Sequence, residues 1–140
     1  MLLNQISGPV VLEIPSDPEC LFLVRSLVER VSQRLGFPEE DVGKMTLAVD
    51  EACANVIRHA YGNRRGERIV LTLTAREDRL EILIRDFGRP LEQKDLKPRD
   101  LNEIRPGGLG IHFIKSAMDD VNYDAPLEGG GLLRLVKYRE

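Results

Sequence analysis

An acid, an amide and an imidazole recur at four-residue intervals along one predicted helix. The stretch 46–63, TLAVDEACANVIRHAYGN, is dominated by Ala, Leu, Val and Glu and contains no proline. Glu51, Asn55 and His59 are spaced i, i+4, i+8, so a helix would place them on one flank. Such groups accept protons and hydrogen bonds. The flank is therefore either one wall of a site or the solvated face of an ordinary half-buried helix.

A second chemically capable residue, Asp86, ends the predicted strand RLEILIRD. Leu80, Ile82 and Ile84 share one face of this strand, and Asp86 continues their alternation toward the core. A carboxylate in that position is costly to bury unless hydrogen-bond donors surround it. Gly88 follows two residues later, where a missing side chain lets a ligand approach the backbone. Asp-x-Gly at this point is equally consistent with a simple strand-ending turn.

A glycine-rich segment, RPGGLGIHFIKS, leads directly into a predicted helix. The free amides and positive dipole at such a helix start could hold phosphate, and Gly107, Gly108 and Gly110 would let the backbone approach it. The Rossmann fingerprint does not fit, because Phe113 stands at its third glycine and a polar loop precedes the segment. No Gly-Lys-Ser/Thr follows, which excludes a Walker A loop. A flexible hinge is the alternative.

Bulk composition indicates one soluble globular domain spanning 1–140. A chain of 140 residues with 42% hydrophobic and 31% charged residues is long enough for one real core. The net charge of −3, with both signs interspersed, gives no basic surface for nucleic acid. We expect no signal peptide and no membrane span, since the start lacks a basic region before a long apolar one. Cys20 and Cys53 lack metal-ligand spacing, which favours free thiols and a cytoplasmic location.

Hydrophobic periodicity and turn residues predict an α+β fold. The first strand ends at Pro15, and a helix follows with Asp17 as N-cap, Pro18 in its first turn and Gly36 as C-cap. The predicted order is strand 10–15, helices 17–36 and 38–63, strands 67–77 and 79–86, loop 87–108, helix 108–120, and strands 121–125 and 131–139. This order predicts a two-layer α/β sandwich: a mixed, mostly antiparallel sheet covered on one face by about three helices.

The three motifs together resemble a known superfamily. A helix with Glu-x-x-x-Asn, a strand ending in Asp-x-Gly, a long loop and Gly-Gly-x-Gly entering a helix resemble the N, G1 and G2 boxes of the GHKL (Bergerat-fold) ATPases. That superfamily includes the histidine kinase ATPase domains. The resemblance is greatest to anti-sigma-factor serine kinases of the partner-switching type, through LAVDEACANVIRHAY, RDFGRP and GGLGIHFIKSAMDDVNY. It covers nearly the whole chain.

The resemblance implies ATP and Mg²⁺ as cofactors and assigns roles to the residues of the N and G1 boxes. Glu51 would be the general base that orients and deprotonates an attacking hydroxyl, and Asn55 would be a Mg²⁺ ligand through its amide oxygen. Asp86 would accept a hydrogen bond from the adenine amino group, and Gly88 would give the base room. His59 would orient a neighbouring group or a bound water, although a purely structural role is the preferred interpretation.

The resemblance also assigns the phosphate-binding residues of the G2 box. Gly107, Gly108, Leu109 and Gly110 would wrap the phosphates, and residues from about 91–106 would form a short lid over the nucleotide. Arg105, at the end of that lid, would pair with the charge of the terminal phosphate.

Two departures from the family pattern are visible. Pro90 stands where the superfamily's G1 box often has a second glycine, as it does in many anti-sigma kinases. The last strand, GGGLLRLV, lacks the Thr that usually lies near the adenine and the aspartate. One adenine-side hydrogen bond would then be missing or replaced by one from water, with a modest effect on nucleotide affinity.

The function implied is an ATP-dependent protein serine kinase that also binds and inhibits a sigma factor. Its phosphoacceptor would be a serine of a STAS-type anti-anti-sigma partner, and the resemblance also allows a homodimer. One alternative is a nucleotide-binding partner switch with little or no kinase activity. Another is a stand-alone histidine-kinase-like ATPase domain, which is disfavoured because His59 and His112 both fall inside the boxes and no dimerisation helix pair is present.

Overall fold

The computed structural model describes residues 6–92 and 110–139, in which helices and a sheet enclose one hydrophobic core. The strands are β1 Val10–Pro15, β2 Arg68–Ala75, β3 Arg79–Asp86, β4 Asp120–Asp124 and β5 Gly131–Tyr138. The helices are α1 Leu21–Arg34, α2 Glu39–Asn55 and α3 Gly110–Ala117, with a 3-10 turn at Pro18–Cys20 and a π turn at Val56–Ala60. This order confirms the predicted α+β sandwich.

The sheet has the order β1-β2-β3-β5-β4, and every neighbouring pair in the described ranges is antiparallel. The expectation of a mixed sheet is wrong in this respect. After α3 the chain enters β4 in the same direction as β3, which would give a parallel pair if the two strands were adjacent. The hairpin that follows instead inserts β5 between them, so β3 and β4 never pair.

One end of α1 follows its predicted capping residue and the other does not. The Asp17 carboxylate accepts a 3.0 Å hydrogen bond from the Glu19 amide, but it caps the 3-10 turn that Pro18 begins. Helix α1 itself begins at Leu21, after Cys20, which makes no side-chain cap. At the other end Gly36 has a φ of +86°, the left-handed conformation that glycine adopts most easily.

Helix α2 does not continue as a regular helix beyond Asn55. The Tyr61 amide donates to the Val56 carbonyl at 3.0 Å, an i→i+5 hydrogen bond that defines a π turn. The predicted end of the helix is confirmed, because Gly62 and Asn63 both have positive φ. The wider turn moves His59 out of the straight register expected with Glu51 and Asn55.

The core lies between α2 and the inward face of the sheet. One apolar stripe runs along α2 and the π turn that follows it, and its buried members are Val42, Met45, Val49, Cys53, Val56 and Ala60. The same cluster includes the inward residues of the sheet, among them Leu71, Leu80, Ile82, Ile84 and Leu135. This packing fixes the far end of α2 against the strand ends, where the candidate site lies.

The opposite face of the sheet carries a charged cluster around Glu81. Its carboxylate accepts from Arg79 at 2.9 Å and from Arg134 at 3.1 Å, and Arg76 lies at 3.8 Å. Burial opposes ionisation of Glu81, but the arginines outweigh it and hold its pKa below the ordinary value. In the described part of the chain, no helix is both long enough and apolar enough to cross a membrane.

Candidate functional site

Glu51 and Asn55 lie one turn apart on α2 and are joined by a third residue, Arg58. The Arg58 guanidinium donates a 2.6 Å hydrogen bond to the amide oxygen of Asn55. The same Arg58 nitrogen, Nη2, lies 3.8 Å from Glu51 Oε2. Asn55 is only 6% exposed. Asn55 is therefore buried, whereas the side chains of Glu51 and Arg58 keep 28% and 35% of their surface exposed, so this flank is a half-buried polar cluster.

The carboxylate of Glu51 has hydrogen-bonding capacity that the described residues do not use. Its Oε2 atom is buried and has no hydrogen-bond partner among them, although it forms the longer ion pair with Arg58. Burying a carboxylate oxygen without a donor costs free energy, so such an atom calls for a functional explanation. It is suited to accept a proton from a hydroxyl group placed beside it.

Asp86 faces the interior at the end of β3, as its alternation with Leu80, Ile82 and Ile84 predicts. It is 1% exposed, and the Gly88 amide donates to its Oδ1 at 3.0 Å. Burial raises the pKa of Asp86 above its ordinary value, and the Gly88 and Gly131 amides with the charge of Arg85 offset only part of the shift. The carboxylate would therefore gain from a further donor.

Gly88 is required by the packing of the protein itself. A Cβ atom at this position would lie 2.4 Å from the Ala60 carbonyl oxygen and 2.8 Å from Cδ1 of Tyr61. The Arg89 amide also donates to that Ala60 carbonyl, at 2.9 Å. The sequence suggested that the missing side chain leaves room for a ligand. In the structure the close neighbours are instead Ala60 and Tyr61, at the end of the helical segment that continues α2. The G1 segment is thereby attached to the helix that carries Glu51 and Asn55.

Tyr61 supports this junction and was not identified from the sequence. Its side chain is 1% exposed, and its hydroxyl donates to the Arg68 carbonyl and accepts from the Phe87 amide at 2.7 Å. Burial raises the pKa of the Tyr61 phenol. The signal in the sequence was a tyrosine directly before the glycine that ends the helical segment. A tyrosine buried at such a position needs hydrogen-bond partners for its hydroxyl.

Tyr123 is a second site residue that sequence reasoning missed. Its hydroxyl accepts a 2.7 Å hydrogen bond from the Leu91 amide. A Cβ atom placed on Gly131 would lie 2.5 Å from this hydroxyl and 2.9 Å from Asp86 Oδ2. The Tyr123 hydroxyl and the Asp86 carboxylate therefore border the same small space at the end of the sheet.

Several predicted site residues lie outside the described residues. These are Arg105, Gly107, Gly108 and Leu109, together with most of the predicted lid, of which the structure describes only 91–92. Gly110 is the first residue of α3. The structure thus brings Glu51 and Asn55 together and attaches Asp86 and Gly88 to the end of the same helical segment. The roles of the glycine-rich segment stay predictions.

The donor set fits a hard cation that takes few ligands from protein. The described ranges contain no cluster of three or more His, Cys, Asp or Glu residues able to hold a metal. The Asn55 amide oxygen suits Mg²⁺, which takes few ligands from protein and the others from phosphate oxygens and water. Cys53 is no candidate ligand, because burial raises the pKa of its thiol and keeps it protonated.

A groove at the opposite end of the sheet lies apart from these residues. It lies between the α1–α2 connection and the end of β5, and its side chains include Phe37, Asp41, Asp119, Lys137, Tyr138 and Arg139. Asp86 pairs with Gly131 at the beginning of β5, whereas Tyr138 ends that strand. The two regions are therefore separate, and the polar cluster is the better candidate site.

Comparison with known proteins identifies relatives of the whole region. Residues 14–137 match a family model described as a histidine kinase-like ATPase domain. The chain is 31% identical over 133 residues to the serine-protein kinase RsbW of Bacillus pumilus (strain SAFR-032), covering 88% of this chain and 82% of that protein. It is 28% identical over 120 residues to the serine-protein kinase RsbW of Bacillus subtilis (strain 168), covering 80% and 75%.

Solved structures support the fold. The RsbU and RsbW domains of Rv1364c from Mycobacterium tuberculosis superpose with a TM-score of 0.69 at 14% identity, over 96% of this chain. A blue-light activated histidine kinase from Erythrobacter litoralis superposes with a TM-score of 0.58 at 18% identity, over 86% of this chain. The chain spans only 34% and 41% of those two proteins. At such low identity the structural similarity supports the fold and nothing further.

Proposed function

The chain belongs to the histidine kinase-like ATPase domain family, and from that premise we propose that it is an ATP-dependent kinase acting on a serine of a partner protein. Family membership implies the use of ATP. The serine-kinase class predicted from the sequence agrees with the names of the relatives that cover most of the chain. The identity of the partner and the roles of individual residues are parts of the proposal.

One observation carries the proposal: the buried Oε2 of Glu51, which has no hydrogen-bond donor among the described residues, lies one turn from the Asn55 amide. Phosphoryl transfer needs mainly positioning and charge neutralisation, so one carboxylate beside one metal ligand can suffice. Glu51 orients the attacking serine hydroxyl and accepts its proton. Whether that hydroxyl belongs to a protein or to water decides between a kinase and a simple ATPase.

Asn55 is the residue that holds Mg²⁺. Its amide oxygen accepts from Arg58 and has a second lone pair for a cation. Arg58 thereby fixes the orientation of the Asn55 amide, so that its oxygen, and not its NH₂ group, is available to a ligand. The metal, when bound, neutralises charge on the phosphate oxygens.

Asp86 binds the adenine amino group, which gives its buried carboxylate the further donor that it needs. Gly88 and Tyr61 hold the strand end that carries Asp86 against α2. Residues 107–110 and Arg105 would hold the phosphates, with residues from about 91–106 as a lid. This assignment accounts for the burial of Asp86 and for the attachment of β3 to the end of α2.

The proposed substrate is a serine of a STAS-type anti-anti-sigma protein, and the proposed second partner is a sigma factor. Phosphorylation adds negative charge to the STAS partner and weakens its docking, which frees the kinase to bind the sigma factor. The reaction is placed in the cytoplasm, without direct nucleic-acid or membrane binding. The proposed assembly of the protein is a homodimer.

The test is transfer of labelled phosphate from ATP, with Mg²⁺, to a STAS-domain protein from the source cell. We expect label on a partner serine, and loss of transfer by roughly 100-fold or more in Glu51→Gln, because a positioned general base contributes that much. Glu40→Gln is the matched control, since Glu40 is exposed on the same helix and pairs only with Lys44 among the described residues.

The outcomes separate the candidate functions. Label on the serine that disappears in Glu51→Gln while ATP still binds supports the kinase. Release of free phosphate at the same rate with and without partner would indicate an ATPase. ATP binding without any transfer would indicate a nucleotide-binding partner switch.

A further inference from the structure

Leu47 is an exposed apolar residue on the same flank of α2 as Glu51. It lies one helical turn before Glu51 and is 53% exposed. Residues four apart on a helix have their Cβ atoms roughly 5–6 Å apart, so the two side chains are neighbours. The other three residues one turn from Glu51 differ, since Ala48 and Asn55 are buried and Ala54 packs partly against the core. Among these four, Leu47 is therefore the exposed neighbour of the proposed base.

Gly43 lies one further turn before Leu47, at a position where the described fold does not require glycine. It is exposed inside α2, its φ is not positive, and a Cβ atom there would meet nothing within 4 Å. A glycine inside a helix destabilises the helix relative to alanine. Neither backbone conformation nor packing among the described residues explains it. What Gly43 provides is an open strip of helix surface beside Leu47, where the backbone of another chain can come close.

The geometry of phosphoryl transfer determines the side from which an acceptor reaches Glu51. The attacking and leaving oxygens stand roughly in line, so the nucleotide and the acceptor serine lie on opposite sides of the transferred phosphate. The proposed metal ligand Asn55 follows Glu51 by one turn, and Arg58 donates to its amide oxygen there at 2.6 Å. The nucleotide phosphates then lie toward Asn55. The serine-bearing chain is left with the other side of Glu51, which Gly43 and Leu47 form.

We propose that Gly43 and Leu47 are the docking surface for the serine-bearing segment of the STAS partner. The inference rests on the proposed function of Glu51 and Asn55. Leu47 contacts an apolar side chain of that segment, and Gly43 admits its backbone. The four residues from Leu47 to Glu51 rise about 6 Å along the helix, which an extended chain spans in about two residues, and side chains two apart point the same way. The apolar residue therefore lies two positions from the acceptor serine.

The test measures the KM for the STAS partner and the affinity for ATP in Leu47→Gln. Loss of the apolar contact should raise this KM by roughly 10-fold, the contribution of one buried leucine side chain. Affinity for ATP should stay at the wild-type value, because Leu47 lies on the side away from the nucleotide, whereas a disturbed fold would weaken both. Leu127→Gln is the matched control, since Leu127 is fully exposed in the turn between β4 and β5 and should leave the KM unchanged.

Gly43→Gln separates docking from stability. Glutamine is a better helix former than glycine, so the variant should be at least as stable as wild type in thermal unfolding. Its side chain would fill the open strip, and the KM for the STAS partner should still rise by roughly 10-fold, as for a side chain forced into a packed interface. A more stable protein that phosphorylates its partner less well is not explained by damage to the fold.

The STAS partner supplies the complementary variants. Replacement by Gln of its apolar residue two positions before or after the serine should raise the KM of the wild-type kinase and have no further effect in Leu47→Gln. Additive effects of the two changes overturn the inference, as does a wild-type KM in Leu47→Gln or in Gly43→Gln. Absence of any phosphate transfer from the wild-type kinase to the STAS partner would instead overturn the proposed function.

Discussion

The guanidinium of Arg58 donates a 2.6 Å hydrogen bond to the amide oxygen of Asn55 and lies 3.8 Å from Glu51. One arginine thus contacts both the proposed metal ligand and the proposed general base. Arg58 is half-buried in the π turn, where the widened backbone follows Asn55 directly. We infer that the turn and the arginine together set the orientation of the Asn55 amide.

Removal of Arg58 should therefore weaken the metal site. In Arg58→Ala the Asn55 amide is free to rotate, and we expect the Mg²⁺ affinity of the ATP complex to fall roughly 10-fold, as for other residues that orient metal ligands. Magnesium titrations at constant ATP measure this. Arg25→Ala is the control. Arg25 forms a 2.8 Å ion pair with Asp50 of α2, and this pair does not include Asn55. An unchanged Mg²⁺ affinity in Arg58→Ala would contradict the assignment.

Gly88 and Gly43 form a matched pair of glycines for testing the junction. Gly88→Ala places a methyl group 2.4 Å from the Ala60 carbonyl, so we expect a loss of roughly 1–3 kcal/mol in unfolding free energy. Gly43→Ala meets nothing within 4 Å inside α2 and should gain about 0.5–1 kcal/mol. Urea denaturation measures both. Equal stability of the two variants would show that β3 and α2 do not meet as described.

Tyr61→Phe removes one hydroxyl and leaves two backbone groups without their partner. The Phe87 amide and the Arg68 carbonyl both bond to that hydroxyl, and we expect a loss of roughly 1–3 kcal/mol in unfolding free energy. ATP affinity should fall as well, because Phe87 directly follows Asp86. Chemical denaturation and calorimetry measure the two effects. A variant that keeps wild-type stability would show that the hydroxyl does not hold the strand end.

The raised pKa of Asp86 predicts a definite sign for the pH dependence of stability. Between the ordinary aspartate pKa, about 4, and the higher folded value, the native state binds more protons than the unfolded state. The contribution of Asp86 to the unfolding free energy therefore decreases as pH rises through this window, and it is largest below it. Denaturation of wild type and Asp86→Asn across this range measures the difference.

At neutral pH, loss of the Asp86 charge should affect stability and nucleotide binding differently. Asp86→Asn removes the cost of a buried charge and keeps an oxygen for the Gly88 amide, so it should be at least as stable as wild type. It should nevertheless lose the acceptor for the adenine amino group. A variant that is both less stable and fully able to bind ATP would contradict this role.

Features set by local sequence were predictable, and those set by non-local packing were not. The burial of Asp86 followed from strand alternation, and the end of α1 followed from Gly36, whereas Asp17 caps the 3-10 turn before α1. The π turn after Asn55 has no proline or glycine within it to mark it, so the register of His59 was wrong. Long apolar alternation predicts strands, but it does not say which strand inserts between two others.

The features of the candidate site likewise divide into those set by local sequence and those set by non-local packing. Glu51, Asn55 and Arg58 share one side of the helix by spacing alone, whereas the contacts of Arg58 with the other two depend on side-chain conformations that spacing does not give. Tyr123 and Gly131 lie on different strands, and their fit depends on the β4–β5 register. A glycine next to two others reads as a turn, so the space it leaves for Tyr123 is visible only in three dimensions.

Calorimetric titration of Mg·ATP tests most directly whether Glu51, Asn55 and Asp86 serve one nucleotide. Wild type should bind one nucleotide per chain, and Asp86→Asn should bind it roughly 10- to 100-fold more weakly, as expected for a hydrogen bond to a charged group. Asn55→Ala should lose only the part of the affinity that depends on Mg²⁺, and Glu51→Gln should bind as wild type does. Wild-type affinity in both Asp86→Asn and Asn55→Ala would contradict a shared site.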